Sequence, residues 1–186
     1  KEIYEQPSVL RRTLAQYLHS DGVDFSADNL EEHLFDDVER VHLIACGTAM
    51  HAGLTVRPLL EKLADVLVDV EVSSEFRDRE ARVDRDALYI FISQSGETAD
   101  TLAALRMVRD AGARFLSVIN VKGSTMARES RNVVYTKAGP EIAVASTKAF
   151  TTQVAVLYLI ALRIAQAHGV DVSELARALR NVDKQV

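Results

Sequence analysis

Leu88-Tyr89-Ile90-Phe91-Ile92 is apolar at every position. Such a run cannot lie on a sheet with one wet face, because successive side chains point to opposite sides of a strand. It needs cover on both faces. Phe115 to Ile119 reads the same way with one serine, and Val41-His42-Leu43-Ile44-Ala45 with one histidine. Between these runs the apolar period changes to the helical one. Buried strands alternating with helices predict an α/β fold, a doubly wound and mostly parallel sheet with helices on both faces. Right-handed crossovers then favour about five strands in the flavodoxin-like order. In such sheets ligands bind beyond the carboxyl ends of the strands, where the strand order reverses.

The remaining elements fit that frame. Ile3 to Leu18 carries a helical apolar stripe, with Pro7 near its first turns. Met50 to Leu63 reads as a helix and Val66 to Val72 as a strand of uncertain register. Thr98 to Ala111 is helical and Gly112 stops it. Ser124 to Glu129 is a short helix, Val133-Val134-Tyr135 a last strand, and Thr147 to His168 the longest helix, ended by Gly169. Ser173 to Arg180 follows, with Ser173 as its expected N-cap. The 186 residues contain no Pro/Gly-rich linker or low-complexity tract, and they are enough for one core. One domain is expected, with residues 1–36 as a helical lead-in and 37–186 as the α/β body.

A net charge of −5 argues against a nucleic-acid partner, which needs clustered Lys and Arg. A small phosphorylated metabolite stays possible, since backbone N–H groups and hydroxyls can hold it. Cys46 is the single cysteine, so an internal disulfide is impossible. The longest unbroken apolar run, Val154 to Leu162, has nine residues, too few to span a bilayer. With no signal peptide in view, a cytoplasmic location is expected. The chain opens at Lys1 directly into helical sequence, and is expected to be a piece of a longer protein.

The chemistry gathers in three loops. The first strand runs into Cys46-Gly47-Thr48, where Gly47 permits a tight turn and Thr48 brings a hydroxyl to a helix start; a plain turn and cap explain this pair as well. The third strand runs into Ser93-Gln94-Ser95-Gly96-Glu97-Thr98. Three hydroxyls and an amide there adjoin a helix N-terminus whose free N–H groups and dipole favour an anion. Ser93, Ser95 and Thr98 can each donate to a phosphate oxygen, and Gly96 clears the approach. The third loop is Ala143-Val144-Ala145-Ser146-Thr147-Lys148. Ser146 and Thr147 either cap the long helix or meet a ligand, and Lys148 either adds a cation or pairs with a carboxylate such as Glu141.

Other constellations are missing. The five histidines are scattered without metal-ligand spacing, so no metal is expected. No nucleophile elbow, Walker A lysine or dinucleotide fingerprint appears, and no cofactor is implied. The helix from Thr147 to His168 is apolar around much of its circumference. Either a second subunit or domain covers it, or the chain itself does, for example with Ile3 to Leu18.

Five segments in order carry a resemblance: Glu2-Ile3-Tyr4-Glu5-Gln6-Pro7, Ala45-Cys46-Gly47-Thr48, Ser74-Glu75-Phe76-Arg77, Ser93 through Thr101, and Val144-Ala145-Ser146-Thr147-Lys148-Ala149-Phe150-Thr151. Together they resemble the SIS (sugar isomerase) domains, and among these the first SIS domain of the glutamine–fructose-6-phosphate aminotransferases. The resemblance implies a SIS fold that binds fructose 6-phosphate or glucosamine 6-phosphate. Matching contact positions are Thr48, Ser93, Gln94, Ser95 and Thr98, with Val144 and Ser146 nearer the sugar and Gly47, Gly96 and Lys148 in support. Where the family often has a serine after Cys-Gly-Thr, this chain has Ala49. The resemblance also implies a glutaminase domain and a second SIS domain elsewhere in the parent enzyme, the latter carrying the acid–base groups, and a homodimer formed through the isomerase domains. No catalytic residue is therefore expected in this chain.

Two other functions remain open at this stage. A sugar-phosphate-sensing regulatory module would come with a DNA-binding segment, and no basic patch is visible. A small independent sugar-phosphate isomerase would need a base within reach of the sugar, for which Glu97 or a neighbouring subunit's histidine is the candidate.

Overall fold

A computed structural model describes residues 1–20, 22–143 and 145–186. A 3-10 turn at Glu2–Glu5 runs into helix α1 (Gln6–Tyr17), and a second short turn covers Ser26–Asp28. The body then alternates β1 (Arg40–Ala45), α2 (Gly47–Leu63), β2 (Leu67–Val72), α3 (Ser73–Asp78), β3 (Leu88–Ser93), α4 (Ala99–Asp110), β4 (Arg114–Ile119), α5 (Thr125–Glu129) and β5 (Val133–Tyr135). Helices α6 (Lys148–Ala167) and α7 (Ser173–Leu179) and a 3-10 turn at Val182–Lys184 complete it.

The sheet is five-stranded and wholly parallel, in the order β2-β1-β3-β4-β5. That is the flavodoxin-like order, so the reversal falls between β1 and β3. The register there is direct, with Leu43 opposite Ile90 and Ala45 opposite Ile92. All six residues of β3 are buried. Leu88, Ile90 and Ile92 enter one apolar cluster with α1, α2 and α6, while Tyr89 and Phe91 enter another with Phe76, Leu102, Leu105 and Phe115. Two cores on two faces are what an all-apolar strand requires.

The apolar excess of α6 is absorbed within the chain. The helix packs against α1 and α2, and Leu159, Ile160, Leu162 and Ile164 are fully buried. Each such side chain contributes about 1.5–3 kcal/mol of burial. Its twenty residues would reach across a bilayer by length and composition, but most of that stretch lies in the interior. Of the two covers left open above, the helix takes the one supplied by its own chain.

Tyr17, on α1, ties the lead-in to the far side of the sheet. Its hydroxyl donates to the Asp28 carboxylate at 2.5 Å and accepts the Tyr135 N–H at 3.2 Å. Burial and the Asp28 charge push this phenol well above its usual range.

Local differences from the sequence reading have identifiable causes. Residues Ser73–Asp78 form a helix that the short window did not announce. Ser173 is the first residue of α7 and not its cap; Val172 holds that position, and the Asp171 carboxylate accepts the Ser173 N–H at 2.9 Å.

Candidate functional site

The loops after β1 and β3 leave adjacent strands side by side at the carboxyl edge. Each turns on a glycine with positive φ, Gly47 at 58° and Gly96 at 66°, a region that side-chain-bearing residues enter at a cost of about 1–2 kcal/mol. Each loop delivers the chain into a helix whose N-cap residue, Cys46 or Thr98, makes no side-chain capping bond. Two helix starts, and their partial positive charge, therefore adjoin at one edge.

Within the second loop the hydroxyls divide their work. Ser93 is buried; its Oγ accepts the Gly96 N–H at 3.0 Å and lies 3.1 Å from Thr98 Oγ1. Either hydroxyl can donate in this pair; where Ser93 does, the Thr98 hydrogen is free for another acceptor. Ser95 Oγ accepts the Glu97 N–H at 3.1 Å, which also leaves its hydrogen available. Ser95, Thr98 and Gln94 are half-buried and Thr48 is exposed, its hydroxyl unpartnered among the described residues. Ser93 is thus the buried hydroxyl of the three and Ser95 and Thr98 the more accessible ones, a division that their spacing does not reveal.

Gly96 is enclosed. A Cβ there would lie 2.1 Å from Ser124 Oγ, and the Gly96 carbonyl accepts the Met126 N–H at 3.0 Å. Ser124 itself caps α5, so the loop rests on the start of that helix. Glu97 is committed to the same place: its Oε1 accepts the Thr125 N–H at 2.7 Å, and this bond holds the carboxyl below its ordinary range. A base so weakened and so occupied is poorly suited to proton abstraction, which counts against the independent-isomerase reading.

In the third loop Lys148 takes the carboxylate-pairing alternative, with a partner other than the one named. Lys148 is buried and its Nζ pairs with Glu5 Oε2 at 2.6 Å, not with Glu141. Glu141 instead occupies the start of α6, accepting the Thr147 N–H at 2.8 Å, the Thr147 hydroxyl at 3.0 Å and the Ala149 N–H at 3.3 Å. Helix N-termini favour a carboxylate, and this one is filled from within the chain. Ser146 Oγ lies 3.3 Å from Glu141 Oε2. Val144 lies outside the described residues.

Other groups singled out earlier have local duties. Cys46 is half-buried beneath the first loop, 4.0 Å from Thr101 Oγ1, which in turn lies 2.9 Å from Ser73 Oγ. His33 pairs with Asp36, His42 stacks on Tyr89, and His168 contacts the Ala64 carbonyl. Among the described residues no group of His, Cys, Asp and Glu could hold a metal.

Known proteins bear on this arrangement. The SIS domain family matches residues 34–163. The chain is 49% identical, over its full length, to 31% of a glutamine–fructose-6-phosphate aminotransferase [isomerizing] from Symbiobacterium thermophilum. It is 48% identical over 171 residues to the enzyme of the same name from Clostridium tetani, covering 91% of this chain and 28% of that one. The solved C-terminal domain of glucosamine-fructose-6-phosphate aminotransferase from Francisella tularensis superposes with a TM-score of 0.89 at 36% identity, over 98% of this chain and 53% of that one. The chain thus spans less than a third of the curated relatives it matches. With its five parallel strands, its reversal between β1 and β3 and that family match over most of its length, the chain is a single SIS domain and belongs to the SIS domain family.

Proposed function

We propose that this chain is the sugar-phosphate-binding half of the isomerase part of a glutamine–fructose-6-phosphate aminotransferase. In this reading the phosphoryl group of fructose 6-phosphate or glucosamine 6-phosphate lies between the loops after β1 and β3. Ser95 and Thr98 donate to its oxygens, Gln94 and Thr48 close the sides, Ser93 braces Thr98, and Ser146 lies toward the sugar. The start of α4, where Thr98 makes no side-chain capping bond, carries the proposal together with the hydroxyls beside it, since these offer donors and a favourable dipole to a dianion at one point. The names of the relatives, which join fructose 6-phosphate to isomerisation, support the choice of sugar.

No acid–base residue for isomerisation is assigned to this chain. Ring opening and proton transfer fall to a second SIS domain, and ammonia release to a glutaminase domain, in a cytoplasmic parent enzyme that pairs as a homodimer. Titration calorimetry with fructose 6-phosphate tests the binding role. Weak, saturable binding is expected, lost when Ser95 and Thr98 both become alanine; equal binding by that double variant would refute the loop assignment. Conversion of fructose 6-phosphate by the purified chain alone would refute the division of labour.

A further inference from the structure

The described residues leading up to Ser146 lie open to solvent. Ile142 is 89% exposed, and Ala143 and Ala145 are exposed as well. Polar contacts hold this segment: Glu141 does so locally at Ser146 and Thr147, and the others come from the opposite end of the sequence. Glu2 Oε1 accepts the Ile142 N–H at 2.7 Å and Glu2 Oε2 the Ala143 N–H at 3.0 Å, so one carboxylate grips two consecutive amides. Within the next few residues Glu5 pairs with the buried Lys148 and Gln6 accepts the Thr151 hydroxyl. One short 3-10 turn, running into α1, thereby contacts both the approach to Ser146 and the first turns of α6.

We infer that Glu2 is a positioning residue for the sugar end of the site: by gripping Ile142 and Ala143 it sets where Ser146 stands against the bound sugar. This rests on the functional reading above and adds to it a residue that touches neither phosphate nor sugar. Loss of the grip frees the Ile142 and Ala143 amides and leaves Ser146 held by Glu141 alone, while the phosphate loop after β3 is unaltered. Sugar and phosphate affinities should therefore separate, which a general loss of stability would not produce. Glutamine at position 2 keeps one acceptor oxygen and the side-chain length, so it should rescue part of the effect.

The experiment compares the wild-type chain with Glu2→Ala and Glu2→Gln by amide hydrogen exchange and by calorimetry with fructose 6-phosphate and with inorganic phosphate. In Glu2→Ala, exchange at Ile142 and Ala143 should quicken and fructose 6-phosphate should bind about tenfold more weakly, the size of one lost hydrogen bond. Inorganic phosphate should bind as before, and Glu2→Gln should fall between. Unchanged exchange, unchanged sugar affinity, or equal weakening of sugar and phosphate would each overturn the inference while leaving the phosphate site standing. A wild-type chain that bound no fructose 6-phosphate would remove the functional reading itself, and with it the claim on the sugar.

Discussion

Ser93 Oγ lies 3.1 Å from Thr98 Oγ1 while also accepting the Gly96 N–H, so one buried hydroxyl joins the strand end, the glycine turn and the helix start. Removing it should do two things. Ser93→Ala leaves the buried Gly96 N–H without a partner, a loss of about 1–3 kcal/mol in unfolding free energy. Thr98→Ser keeps the hydroxyl and should change stability by less than about 1 kcal/mol. Urea unfolding of the two variants checks the contrast, and equal losses would show that Ser93 is no brace.

Gly96 should tolerate no side chain. Alanine would have to hold a φ of 66° with its Cβ 2.1 Å from Ser124 Oγ and 3.0 Å from Ile119 Cγ2. The backbone cost and the overpacking together come to about 2–5 kcal/mol. Thermal unfolding of Gly96→Ala should show a clear fall; a variant within 0.5 kcal/mol or so of wild type would mean the turn relaxes freely.

Glu129 lies between two guanidinium groups, Arg106 first and Arg109 second, and these hold its carboxyl down to about 2. A depressed folded-state value means the stabilisation is complete above the ordinary carboxylate range and is lost as acid drives the folded group toward protonation. The stability gap between wild type and Glu129→Gln should therefore be constant near neutrality and narrow as pH falls from about 4.5 toward 2. Denaturant titrations at several pH values would measure it. A gap that widens in acid would reverse the assignment.

Glu141 fills the start of α6 with three contacts. Glu141→Ala should lower stability by about 0.5–2 kcal/mol, as loss of a helix cap does. Glu141→Gln should recover part of this by keeping an acceptor oxygen. Equal effects of the two would place the whole benefit in the charge, and a neutral alanine variant would show that water serves as well.

The strands and the sheet order were legible because each buried strand is short and apolar throughout, a pattern that survives without tertiary context. Leu88 to Ile92 is the clearest case, extended in the structure only by Ser93. The place of the order reversal was legible for the same reason, and it lies between the two strands whose loops bear the hydroxyls. What stayed hidden depends on residues far apart in sequence. Lys148 has Glu141 close by in the chain, yet its partner is Glu5, brought near by the packing of α1 on α6. Likewise nothing in Ser93, Ser95 and Thr98 says which hydroxyl turns inward. Ser124 beneath Gly96 gave no signal at all.

Because Tyr17 reaches from α1 to the backbone of β5, the opening helical stretch is a wall of the building and not its porch. A chain trimmed to start at Asp37 would strip one side of α6 to water and cut the β5 amide from its phenol. What remained would be a sticky, half-roofed sheet, so anyone wishing to borrow this module must take it from its first turn.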